Sequence, residues 1–211
     1  VRGIDGTLQG IDFRPADGRL YGVSDTDKIY TINPNTGAAT QVGTLSTSFD
    51  GGYQSGFDFN PQLDRLRINS LRQNFSVNVD NGAATAQTAL AYIAGDRNAG
   101  RDPNVTSAAY TNNIAGTTST QLFTIDYDLD VLALQDPPPT GQLRTIGSLG
   151  VNLSPIGGFD IVTNGQGVNR AFAVSASTLY TIDLTTGRAT QSGMVPRSDF
   201  IGLAATTTRN S

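Results

Sequence analysis

Gly10-Ile11-Asp12-Phe13-Arg14-Pro15 is the stretch the chain keeps returning to. Gly56-Phe57-Asp58-Phe59-Asn60-Pro61 and Gly158-Phe159-Asp160-Ile161-Val162 are near-copies, and Ala108-Ala109-Tyr110-Thr111-Asn112 is a looser one. Ile201-Gly202-Leu203-Ala204-Ala205-Thr206 echoes it once more near the end. Each copy opens on a small residue, is apolar, and has the length of one strand. The copies start at 10, 56, 107, 158 and 202, so they lie 46, 51, 51 and 44 residues apart. A period of ~40–50 residues holding several short strands is the signature of a β-propeller blade, not of a helical array.

Working outward from the first copy, Asp17-Gly18 makes a turn into Arg19-Leu20-Tyr21-Gly22-Val23-Ser24. Lys28-Ile29-Tyr30-Thr31-Ile32 alternates polar and apolar residues, and Asn33-Pro34-Asn35-Thr36-Gly37 turns the chain into Ala39–Leu45. Asp-Gly and Thr-Gly pairs between alternating runs are hairpin signals, because glycine accepts the positive φ of a tight reversal. The later copies repeat this plan. The expected fold is all-β: one domain over 1–211, a five-bladed propeller of four-stranded antiparallel blades. Four blades cover about 10–45, 56–90, 107–150 and 158–195, and 200–207 plus 1–8 closes the ring as an incomplete last blade. Two strands of that blade are wanting, as in a chain trimmed at its N-terminus or a ring left open, and an open edge can pair with another strand. Residues 94–105 read as a surface loop, and Pro137-Pro138-Pro139 as an exposed bend.

The composition narrows the chemistry. The 211 residues contain no Cys, His, Trp or Glu; all 18 acids are Asp, and Lys28 is the only lysine. Disulfides, thiolate metal sites and Ser–His–Asp or Cys–His machinery are therefore excluded. A net charge of −4 with no basic run argues against nucleic acid as a partner. No stretch approaches ~18 continuous apolar residues, so no membrane-spanning helix is expected.

Three groups of residues carry candidate chemistry. Asp12, Asp58 and Asp160 occupy the third position of their copies, with Tyr110 read as the equivalent in blade three. Facing a central channel, such a ring would accept hydrogen bonds from sugar hydroxyls or hold a cation. Two of its members could act as the carboxylate pair of a glycosidase, whose separation decides retention or inversion. The competing assignment is structural, each Asp bonding backbone donors and keeping the blades in register. Arg14, Asn60 and Asn112 end successive copies and should crowd one rim. With Arg65, Arg67, Arg72, Tyr53 and Tyr110 they would form a polar, aromatic-edged surface for carbohydrate. Asp126, Asp128 and Asp130 alternate beside a turn, a spacing that suits Ca²⁺ but lacks the glycine and terminal Glu of an EF-hand; a solvated hairpin is the alternative. No other cofactor is expected.

Several of these motifs together resemble a bacterial propeller-like family known only as a domain of unknown function. The likeness is carried by Gly10–Pro15, Gly18-Arg19-Leu20-Tyr21, Phe57–Pro61, Asp64-Arg65-Leu66-Arg67, Ala109–Asn113 and Ser177–Asp183, and it spans essentially 3–207. Within that family the chain is most similar to the secreted water-stress proteins of cyanobacterial, Nostoc-type colonies. Those usually begin with a further strand pair upstream of the position of Val1. The resemblance implies a secreted protein of the extracellular matrix, associated with polysaccharide and protective during desiccation. It also implies, with no motif to carry it, glycoside hydrolase activity of the β-galactosidase kind. A third expectation is a structural protein that self-associates into filaments through the open blade edge.

Overall fold

The computed structural model describes residues 1–51, 55–196 and 200–206. Strands β1 (Leu8–Phe13), β2 (Leu20–Ser24), β3 (Lys28–Ile32) and β4 (Ala39–Thr44) form one antiparallel meander, blade one. Blade two is β5 (Gly56–Asn60), β6 (Arg65–Ser70), β7 (Gln73–Asn78) and β8 (Ala83–Ala86). A two-residue strand, β9 (Ala91–Tyr92), precedes blade three, which is β10 (Val105–Tyr110), β11 (Leu122–Asp126), β12 (Val131–Gln135) and β13 (Gln142–Ser148). Blade four is β14 (Gly157–Thr163), β15 (Asn169–Ser175), β16 (Thr178–Ile182) and β17 (Ala189–Met194). The only helical turn among the described residues is Pro138–Thr140, at the expected proline bend.

The molecule is thus an all-β propeller arrangement of four four-stranded blades, not the five expected. Residues 1–8 belong to blade one. The Arg2 N–H donates to the Gly37 carbonyl at 2.7 Å, and the Arg2 carbonyl accepts from Ala39 N–H at 2.8 Å. Thr7 N–H donates to Asp25, and Leu8 already pairs with Ser24 in the β1–β2 ladder. These bonds tie both ends of 1–8 to blade one instead of to a separate blade with the C-terminal echo. Residues 201–206 run between β14 and β1 without joining a ladder.

A common clasp holds the outermost strand of every blade, and it always comes from the stretch just before that blade. Arg2 clasps the start of β4, Ser46 clasps Gly82 and Ala84, and Leu149 accepts from Ala189. In blade three the clasp lengthens into β9, parallel to β13. The apolar core lies between blade faces. Tyr21, Phe57, Phe59, Leu66 and Ile68 meet between blades one and two, with the Tyr21 and Phe59 rings edge-on at 5.5 Å. Phe123, Leu132, Phe159 and Ile161 do the same between blades three and four. Burying a side chain such as Phe59, which is fully covered, contributes roughly 1.5–3 kcal/mol.

Close approach at the hub explains the glycines that lead the copies. A Cβ on Gly56 would lie 2.7 Å from the backbone nitrogen of Ala108, so β5 and β10 can touch only because that atom is missing.

Candidate functional site

Asp12, Asp58 and Asp160 converge from β1, β5 and β14, and their carboxylate oxygens lie within 4.8 Å of one another. They are the only such group of acidic side chains among the described residues. All three are buried, at 6%, 3% and 2% exposure. A space at the glycine-led ends of the inner segments, lined by Gly10, Ser107, Gly158 and Gly202 among others, holds only about 10 Å³, the room of about one water. The expected ring of acceptors facing an open channel is a sealed cluster.

Its oxygens already have partners. Asp12 accepts from its neighbour Phe13 N–H at 2.7 Å and, across the blade boundary, from Phe59 N–H at 2.9 Å. Asp160 accepts from Ile161 N–H at 2.6 Å and from Ala205 N–H at 2.5 Å. Asp58 accepts from the Tyr110 backbone N–H and shares a hydrogen bond with Asp160. Each aspartate therefore bonds the next inner segment round the ring, one residue past the equivalent position. The structural assignment weighed from sequence is the geometry found, with the donors in the adjacent inner strand instead of in a turn.

The equivalent position in blade three is Ala109, not Tyr110. Ala109 faces Phe123 as Asp12 faces Tyr21, Asp58 faces Arg67 and Asp160 faces Phe172. The sequence lost this register because β10 begins at Val105, within the expected loop. Where Ala109 leaves no carboxylate, a different polar clasp joins blades three and four. Asn113 and Thr163 exchange backbone and side-chain bonds, and Asn112 bonds Asn169 twice.

Burial lifts all three carboxyls above the ordinary Asp range. Asp160 is pushed up to about 7, chiefly by loss of solvent. Asp12 is raised well above the usual value by burial and then by the charge of Asp160; Asp58 is raised by burial and then by both neighbours. Asp58 has the fewest backbone donors, and its hydrogen bond to Asp160 favours its protonated form.

The rim residues do not assemble into one exposed surface. Arg14 is 7% exposed; its guanidinium grips Asp64 through Nε at 2.8 Å and Asp80 through Nη1 at 2.7 Å, and lies 5.8 Å from the centre of the Tyr21 ring. These carboxylates raise its pKa, so it remains charged. Asn60 is buried and caps its own turn, accepting from Gln62 and Leu63 N–H at 3.0 Å each. Arg67 is buried between blades two and three, donating to Asn74 and Gln87 at 2.5 Å and to the Tyr110 hydroxyl at 3.3 Å. Tyr110 is buried with it. Arg65 is exposed, and Arg72 pairs with Asp102 at 2.9 Å. Tyr53 lies outside the described residues. Sequence reading missed Asp64, Asp80, Asn74 and Gln135, the last buried and bonded to Asn69 and Asn74. Their only signal was position, Asp64 and Asp80 in turns that face another blade and Asn74 and Gln135 on strands β7 and β12.

Asp126, Asp128 and Asp130 do not point at a common centre. Asp126 is fully buried and accepts from the Tyr92 hydroxyl at 2.8 Å, Asp128 is exposed, and Asp130 accepts from Leu153 N–H at φ +47°. The alternation serves the turn and its contacts.

Two open features remain. A cleft of about 620 Å³ lies at the mouth where the inner segments end, bordered by Phe13, Asp17, Asn113, Ile114, Thr163 and Ala205. An apolar groove of about 450 Å³ lies along 201–206, bordered by Ile4, Leu8, Ile11, Phe200 and Ile201.

The family described as Domain of unknown function (DUF4394) matches residues 1–204 of this chain. No curated protein matches it.

Proposed function

Because the chain belongs to the DUF4394 family, a domain of unknown function, we propose from its geometry that it is a non-catalytic, secreted matrix protein. In this reading it associates with extracellular polysaccharide and protects cells during drying. The observation that carries the binding part is the cleft of about 620 Å³, a size suited to a few sugar units. It mixes polar edges, Asp17 and Asn113, with apolar faces, Ile114 and Phe13, the combination that hydroxyls and C–H faces of a sugar call for. It stands on the ends of strands and their turns, where a rigid scaffold presents binding groups. The extracellular setting and the role in drying rest on the motif resemblance to secreted water-stress proteins.

The hydrolase alternative is weaker. Its carboxylates would have to reach a glycosidic bond, whereas Asp12, Asp58 and Asp160 are buried and engaged by backbone donors of neighbouring segments. Affinity electrophoresis through neutral and acidic polysaccharides tests the binding reading. Retardation by at least one glycan is expected, with roughly tenfold weaker binding in Ile114→Asp, whose side chain is 54% exposed in the cleft. No retardation by any glycan overturns it. Turnover of an aryl β-galactoside that disappears in Asp12→Asn or Asp58→Asn overturns the non-catalytic part.

The apolar groove favours a second reading, self-association into filaments. Residues 201–206 join no ladder, and the groove beside Ile201 and Gly202 is apolar, a surface suited to another copy of the chain. Filaments in negative stain that vanish in Ile201→Asp would support it; a monomer at all concentrations would end it.

A further inference from the structure

The ring is closed at one seam by a segment with no sheet of its own. Residues 201–206 fill the gap between β14 and β1, with Gly202 against Ile11 and Leu203 against Gly158. Ala205 N–H ties the segment to the hub through its bond to Asp160. Displacing β5, by contrast, would tear the β5–β6 ladder from Gly56 to Asn60. Local opening follows the weakest restraint, and here that is the seam.

We propose that Asp12, Asp58 and Asp160 form a proton-operated lock on this seam: while they share a proton the closing segment is held, and when all three ionise the ring opens between blades four and one.

The geometry leaves the proton count in control. β1, β5 and β14 each bring one carboxyl to the cluster. β10 brings Ala109 and the Tyr110 N–H, and 201–206 brings the Ala205 N–H with no titratable side chain. The nearest cation by register is Arg67 of β6, opposite Asp58, and its guanidinium is held by Asn74, Gln87 and Tyr110. Among the described residues no cation pairs with Asp12, Asp58 or Asp160. Loss of the proton between Asp58 and Asp160 converts a hydrogen bond into two facing anions in a buried site, where charges are poorly screened. Burial raises all three carboxyls, so the cluster gives up its last proton well above the ordinary Asp range. Opening would widen the apolar groove that already borders Ile201 and Gly202, so the same titration would expose the edge available to a neighbour.

Hydrogen–deuterium exchange of the intact chain tests this, comparing 200–206 with 56–60 from about pH 5 to about pH 9 after correction for intrinsic exchange. Protection of 200–206 should fall roughly tenfold more than that of 56–60 across neutrality. Asp58→Asn, which keeps a donor toward Asp160 and removes one charge, should retain protection at alkaline pH. Parallel loss in both segments, or an Asp58→Asn profile like that of the parent, overturns the lock. Should Asp58→Asn fail to fold, Ala205→Pro serves instead: it removes the amide donor, so 200–206 should be unprotected already at acid pH while 56–60 is not. A Pro variant that keeps the pH-dependent protection overturns the proposal. So does calcium chloride restoring full protection at alkaline pH, because a cation would then be doing what the proton is assigned.

Discussion

Ala205 N–H donates to Asp160 across 2.5 Å, and it does for the last inner segment what Phe59 N–H does for Asp12 at 2.9 Å. The same bond, repeated round the hub, ties consecutive elements that share no ladder. The repeated aspartate is thus a device for joining neighbours, and its side effect is a concentration of buried acid.

That acid sets an unusual pH dependence. A carboxyl whose folded pKa is raised binds its proton more tightly when folded. Its stabilising contribution is therefore complete below the unfolded Asp value near 3.9 and is lost as pH rises through the folded one, about 7 for Asp160. Asp12 and Asp58 act in the same direction. Asp80 and Asp96, lowered by Arg14 and by backbone and Thr145 donors respectively, oppose this only as pH falls below the ordinary Asp range. The melting temperature should decline from about pH 4.5 to about pH 8. A calorimetric series checks it; a rise over that range would contradict the assignment.

Arg14 is the one charged clamp between blades one and two among the described residues. It is buried, but Asp64 and Asp80 are partly exposed, with side chains at 38% and 61%, so its loss leaves no sealed charge behind. Arg14→Ala should cost about 2 kcal/mol, the scale of a charge-assisted hydrogen-bond set with solvent-accessible partners. Arg14→Lys should recover less than half, because a point ammonium does not match two carboxylates held by a planar fork. Urea unfolding at neutral pH measures both.

A positive φ recurs in the turn between the second and third strands of every blade: Asp27 at +61°, Leu71 at +53°, Asp130 at +47° and Ala176 at +49°. Aspartate tolerates that conformation; leucine and alanine do so at a cost. Leu71→Asn and Ala176→Asn should each stabilise the chain by about 0.5–1 kcal/mol. Thermal unfolding of the two variants and their combination tests it, and the distant sites should add.

Gly56→Val should be among the most damaging single substitutions. The first added carbon would meet the Ala108 Cβ and backbone nitrogen at 2.7 Å, with backbone on one side and no flexible side chain to yield. A loss of about 3 kcal/mol or more, or failure to fold, is expected from forcing β5 away from β10. Soluble yield and urea midpoint are the readouts.

The four meanders were legible because their signal is local. Asp17-Gly18, Asn35-Thr36-Gly37 and the alternation of Lys28–Ile32 each specify a turn or strand without help from afar, and the structure has them there. The fifth blade was misjudged because residues 1–8 carry strand-like character but no label for which edge they join. Arg2 bonding Gly37 is a tertiary choice. The rim failed for a related reason. Arg14 and Arg67 look like surface groups by type, yet Asp80, 66 positions away from Arg14, and Gln87, 20 from Arg67, draw them inside. Asp12, Asp58 and Asp160 were found because identical residues at equal repeat positions must meet at a common axis. Whether they line an opening or seal it depended on Gly10, Gly56 and Gly158, whose missing Cβ atoms let the hub shrink.

The direction of the hub bonds also orders events during synthesis. Asp12 must wait for Phe59, 47 residues later, and Asp160 for Ala205, 45 residues later. The clasps run the other way: Arg2, Ser46 and Leu149 have left the ribosome before the outer strands they hold. At roughly 5–20 residues per second, each emerging blade can close on its clasp at once, while its aspartate stays unmated for a few seconds more. The ring accordingly assembles vectorially, and the last amide to arrive, that of Ala205, completes a circle begun about two hundred residues earlier.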